Sequence, residues 1–189
     1  MKTIKKNAFV AAVTGVLFLC LTYSCNPDKP EENAAPVKPD LKIKGVSVFV
    51  FMTPDCPLCQ SYTATLNQLC DSFAGHGITF TGIIPGTAYR VSEIDSFKSA
   101  YELGFKLITD SDFRLTAKYG ATVTPEVFVA DSSGRIIYAG RIDNWMYETG
   151  KKRTAPDEHN LRDVLTAITK GEKRTFVSKQ AFGCIIEQE

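Results

Sequence analysis

Two cysteines, Cys56 and Cys59, stand two residues apart in "FMTPDCPLCQSY", Phe51 to Tyr62. Such a pair can hold part of a metal ion's shell, staple a helix end, or exchange disulfides. Exchange needs one sulfur as thiolate, because the thiolate is the nucleophile. A helix mouth favours that state, with its partial positive charge and unpaired N–H groups. Pro57 suits the first helical turn, where its missing N–H costs nothing. Cys56 is therefore the expected nucleophile. Cys59, one turn on, is placed to attack a mixed disulfide on Cys56 and release the product. As a staple the pair would be poor, since closing so small a loop removes little chain entropy. As a zinc site it lacks further ligands, with only His76 in "GHG" and His159 in the chain. No metal or other cofactor is expected.

The surrounding pattern must deliver these two sulfurs. "KGVSVFVFM" is apolar on both faces, as in a central strand, and Thr53-Pro54-Asp55 breaks it. Leu58, Tyr62, Leu66, Leu69 and Phe73 then recur at helical spacing, with Gly75 as the expected stop. "GITFTGII" reads as a second strand. Ser92 to Leu103 reads as a second helix capped by Ser92. "FKLITD" is extended, and "SDFRLTAKYG" is a helix closed by Gly120. "PEVFVADSSGRIIYAGRI" is two strands joined at Ser132–Gly134, and Asp157 to Lys170 is a last helix. The order β-α-β-α-β-α-β-β-α predicts an α/β fold, a central mixed sheet flanked by helices, with a C-terminal tail.

Upstream lies an address. Residues 1–24 read as a signal peptide, with Lys2, Lys5 and Lys6 before an apolar run, Ala8 to Leu21, that is short for a membrane span. "LTYSC" ends at Cys25 and resembles the lipobox of bacterial lipoproteins, in which that cysteine is lipidated. Residues 25–40 then form the lipid anchor and a proline-rich spacer, and 41–189 one domain. The expected location is the bacterial cell envelope, lipid-anchored, on the periplasmic side or outer membrane. Removing the leader takes three lysines and no acidic residue, leaving 19 basic against 21 acidic residues, or −2 in place of +1. No basic stripe suits nucleic acid. The expected partners are exported protein or peptide thiols and disulfides, a redox partner that gives or takes electrons, and the membrane through the anchor.

"CPLCQSY", "VTPEVFV", "GRID" and the tail "FGCII" together resemble the thioredoxin-like superfamily, and within it the redoxin (AhpC/TSA-like) branch of exported bacterial proteins, over about Val46 to Ile186. The resemblance implies a thioredoxin-like fold in which the Thr124-Pro125 bond is cis and Pro125 faces the cysteine pair. Glu126, just after that proline, and Asp110, ending "KLITD", are then candidates to shuttle the Cys59 proton if buried. Thiol–disulfide exchange is the leading activity. A thiol peroxidase is the first alternative: Thr53-Pro54-Asp55-Cys56 resembles the peroxiredoxin Thr-x-x-Cys. Yet the upstream proline and the peroxide-holding arginine of those enzymes are absent here, with Arg141 a weak substitute. A copper-binding or metal-delivery lipoprotein is the second, although copper carriers of this fold use wider cysteine spacing and a late histidine.

Two cysteines remain. Cys70 lies eleven residues beyond Cys59, roughly 16 Å along one helix, too far for a disulfide with the pair. The tail resembles that of relatives whose tail cysteine follows a glycine, which implies that Cys184 returns to the active site to resolve Cys56 or relay electrons to Cys59. A Cys70–Cys184 staple is the competing arrangement. Trp145, Met146 and Tyr147, in the segment before the last helix, either cap the redox site or fill a gap beneath their own loop.

Overall fold

A computed structural model describes residues 45–148, 150–173 and 175–187. The leader, Cys25 and the spacer lie outside these residues. The first strand, β1 (Val46–Phe51), is central, as its apolar faces require: it pairs in parallel with β2 (Ile78–Pro85) and antiparallel with β5 (Glu126–Ala130). Outside these lie β3 (Lys106–Asp110), parallel to β2, and β6 (Ile136–Gly140), antiparallel to β5, so the sheet order is β3-β2-β1-β5-β6.

Two cores form because both faces of the central strands are apolar. One face packs Val48 and Val50 of β1 and Val127 and Val129 of β5 against α1 (Pro57–Phe73), α2 (Val91–Ala100) and α4 (Asn160–Thr169). On the other face, Phe49, Phe51 and Phe128 meet Leu115 of α3 (Arg114–Tyr119) and the Tyr119 ring. The amphipathic stripe of α1 does what its spacing predicts: Tyr62, Leu66, Leu69 and Phe73 are buried in the first core.

Several boundaries differ from the expected ones. Gly75 does not stop the first helix. A single 3-10 turn, Ala74–His76, follows α1, and Gly77 at φ 70° takes the left-handed residue that ends it. Ser92 is not a cap, because α2 starts one residue earlier. Arg90 is the cap, its N–H donating to the Glu93 carboxylate at 2.8 Å while its carbonyl accepts from Glu93 N–H. The last helix starts at Asn160 rather than Asp157, since the Asn144 side-chain oxygen accepts both the Asp157 and Glu158 N–H groups and holds them in the preceding loop. Four short strands were not expected. β7 (Met146–Glu148) and β8 (Lys151–Lys152) form a hairpin, and β4 (Val123–Thr124) pairs antiparallel with β9 (Cys184–Ile185) of the tail.

Candidate active site

The end of β1 and the mouth of α1 converge on one point. Beyond Phe51 the chain turns tightly, with Cys56 N–H donating to Thr53 O at 3.4 Å, and Gln60 Nε2 donating to Pro54 O at 2.8 Å. Cys56 becomes the N-cap residue of α1 and Pro57 opens the helix, with no acidic residue in the first turn to offset its positive end. Cys56 and Cys59 are both buried, 1% and 0% exposed, and no disulfide joins the four described cysteines.

The loop carrying Thr124-Pro125, whose peptide bond is cis, faces this mouth. The Cys56 thiol donates to Thr124 O at 3.2 Å, and Thr53 N–H donates to the Cys59 sulfur at 3.4 Å. The strand pair β4–β9 sets Cys184 opposite Thr124, which brings a third thiol to the Cys56 sulfur.

The charge state follows from these neighbours. The Cys59 thiol, aimed at the Cys56 sulfur, does most to favour thiolate there. Burial opposes it, while the Cys184 thiol, the Cys59 N–H and Thr124 add to it, and Cys56 is held down at about 4 against the ordinary thiol value of 9.0. The Thr124 carbonyl alone would favour the protonated form, but several donors outweigh one acceptor. Burial first, then its bond and proximity to Cys56, push Cys59 well up. The same causes in the same order push Cys184 up to about 12. One buried thiolate thus sits between two protonated thiols.

The other candidates fall elsewhere. Glu126 lies opposite Phe51 in the sheet ladder, so it shares the face packed by α3, while both cysteines pack on the α1 face. Its carboxylate accepts from Thr122 N–H at 2.9 Å, which braces the loop before Pro125 rather than serving Cys59. Asp110 is buried as its shuttle role required, yet its two oxygens are taken by Leu115 N–H, Thr116 N–H and the Thr116 hydroxyl at the start of α3. Arg141 binds Asn160 and Glu158 at 2.8 and 2.7 Å, beside the start of α4. Cys70 is half-buried against the first core, one helix length from the site. His76 ends the turn after α1 and His159 caps α4. Among the described residues, no group of three or more His, Cys, Asp or Glu could hold a metal ion.

The Trp145 segment fills its own gap. Met146 is buried, and Trp145 packs edge-on to Tyr62 with ring centroids 5.6 Å apart. Tyr62 donates to buried Asp143 at 2.6 Å, which also accepts from Trp145 N–H. Sequence reading did not single out Tyr89, whose hydroxyl donates to the Asp55 carboxylate beside Cys56. A tyrosine in "PGTAYR" carries no pattern that would mark it.

The profile of the AhpC/TSA family matches residues 29–139. The soluble secreted antigen MPT53 of Mycobacterium tuberculosis is 34% identical over 79 residues, which cover 42% of this chain and 43% of that protein. The chain therefore matches less than half the length of these curated relatives. Among solved structures, a hypothetical protein of Sinorhizobium meliloti superposes with a TM-score of 0.67 at 24% identity, covering 77% of this chain and 80% of that one. A putative thioredoxin of Neisseria meningitidis superposes at 0.54 with 16% identity, over 68% of this chain and 77% of that one. These likenesses show a thioredoxin-like fold.

Proposed function

Since the chain belongs to the AhpC/TSA family, we propose that it works as a thiol–disulfide oxidoreductase through Cys56 and Cys59. One observation carries this reading: two free, buried thiols stand at the mouth of α1, Cys56 as its N-cap residue and Cys59 one turn on, with the Cys56 pKa lowered and that of Cys59 raised. The Cys56 thiolate attacks one sulfur of a substrate disulfide. A Cys56–substrate disulfide forms and the other substrate sulfur leaves as thiolate. Cys59 then gives up its proton to that leaving sulfur and attacks the Cys56 sulfur, which breaks the Cys56–substrate bond. The second substrate sulfur leaves as thiolate and takes a proton from solvent. The products are a Cys56–Cys59 disulfide and a substrate dithiol, two electrons having moved to the substrate. Run backward, the same steps oxidise a substrate dithiol.

Cys59 attacks in the reducing direction and leaves in the oxidising one, and its raised pKa keeps it protonated while Cys56 reacts first, which suits a resolving role. Arg141, the substitute for a peroxide-holding arginine, is committed to Asn160 and Glu158 beside α4, and this favours exchange over peroxidase turnover. The substrates are taken to be exported thiols and disulfides met in the cell envelope, with Cys25 as the membrane anchor.

Replacing Cys59 by Ser should leave mixed disulfides stranded on Cys56, visible in non-reducing gels of cell extracts. Cys56→Ser should abolish both the adducts and exchange with a small disulfide. Exchange that survives Cys56→Ser would defeat the reading.

A further inference from the structure

Cys56 is 1% exposed, and the chain's own tail lies beside it, paired to the strand whose Thr124 carbonyl accepts the Cys56 hydrogen bond. The tail reaches the site by three fixed steps. Lys179 N–H donates to Ala139 O and Lys179 O accepts from Arg141 N–H along the outer edge of β6. Ala181 is buried. Then β9 lays Cys184 and Ile185 antiparallel against Thr124 and Val123, and Ile186 N–H donates to Thr122 O at 3.0 Å. Main-chain pairing of this kind gives an extended segment its affinity, while side chains give selectivity.

The selective position is Gly183. A Cβ built there would lie 2.1 Å from Thr124 O, a backbone atom that also takes the Cys56 hydrogen bond. Only a residue without a side chain can precede the cysteine while the strand stays paired. Beyond the cysteine, Ile185, Ile186 and Glu187 join Asp55, Tyr89 and Phe113 in walling an open cavity of about 270 Å³.

Any outside sulfur must reach the same Cys56 atom, which is 1% exposed with β9 paired beside it. We propose that the tail is a built-in substrate mimic: β9 fills the strand position that an extended, Gly-Cys-containing segment of a substrate protein takes, and must peel from β4 before that substrate docks. This rests on the exchange reading above and names its substrate class and its regulation. In the oxidised protein the mimic can react as well as bind. The Cys184 thiolate attacks the Cys56 sulfur of Cys56–Cys59, forming Cys56–Cys184 and returning Cys59 as a thiol once it takes up the proton Cys184 lost. No electrons are gained or lost in that isomerisation, so no outside oxidant is needed.

One full-length variant, one shortened chain and one pair of peptides test this. Gly183→Val dislodges β9 without shortening the chain, and a chain ending at Ala181 removes it. For each, exchange is measured with glutathione disulfide and with a reduced, unfolded protein's mixed disulfides. Both variants should react with the protein substrate about tenfold faster than the parent, as when the open form is about a tenth of the molecules. In the chain ending at Ala181, the peptide Ala-Phe-Gly-Cys-Ile-Ile, supplied as a mixed disulfide, should react about tenfold faster than its Gly→Val counterpart. Equal protein rates in parent and both variants, or no preference between the peptides, overturns the mimic while leaving exchange intact. Absence of glutathione disulfide exchange in the parent and in both variants removes the exchange reading, and the mimic with it.

Discussion

Two neighbouring thiols, Cys59 and Cys184, act on the one Cys56 sulfur. Its thiolate is stabilised chiefly by the Cys59 thiol, so Cys59→Ala should raise the Cys56 pKa from about 4. Titration of the thiolate's ultraviolet absorbance in the reduced protein reads this directly: the midpoint should move to higher pH in Cys59→Ala. The link to stability has a definite sign. A thiol held low in the folded state and near 8.5 when unfolded adds stability that is fully present above about pH 8.5. That stability fades as pH falls and is gone below about 4. The reduced protein should therefore lose its advantage over Cys56→Ser on acidification. A constant difference between the two across that range would contradict the assignment. At this scale the placement of Cys56 at a helix mouth, with Cys59 one turn on, could be read from type and spacing alone. Glu126 could not be excluded that way, because its face of the sheet depends on its register with Phe51.

At the scale of elements, strong periodicity was enough for α1 and the five long strands, since each buries a face that its spacing advertises. Ends were harder, because side chains from distant segments decide them. Asn144 delays the start of α4, and Glu93 advances that of α2. Two-residue strands such as β4 and β9 have no periodicity to detect and exist only as each other's partners. Asp110 shows how an element's start can be held by one buried group. Asp110→Ala would leave two N–H groups and a hydroxyl without their acceptor at the start of α3. Each unmet buried donor costs about 1–3 kcal/mol, so a loss of about 3 kcal/mol is expected in urea unfolding, with partial recovery by water. A loss below about 0.5 kcal/mol would show that α3 does not depend on this cap.

For the whole molecule, the α/β architecture followed from strand and helix alternation, and the thioredoxin-like arrangement from four short motifs taken together. The tail's return to the site was what the likeness of "FGCII" implied, but the strand pairing that carries it did not follow from either. "QAFGCII" is apolar enough to dock, but its destination is set by the Thr124 edge and the approach that Gly183 permits. The chain's address is a separate matter that rests on "LTYSC" and the proline-rich spacer behind it. Mass spectrometry of the mature protein should find an N-terminal Cys25 carrying lipid, and an unmodified start at any other residue would refute the anchor.

Gly140 marks where the tail is clasped most tightly. A Cβ there would come within 1.7 Å of Lys179 O, so backbone meets backbone with nothing between. The clasp sits on β6, an outer strand of the sheet, and occupies the Ala139 carbonyl and Arg141 N–H that a foreign strand would otherwise claim. Freeing Cys184 needs only the few residues beyond Lys179 to lift, which leaves that outer rim sealed. Lifting as far as Lys179 opens it. How far the ribbon unzips thus separates two fates: a short unzipping admits a substrate, and a longer one exposes an edge on which copies of the chain can stack into aggregates.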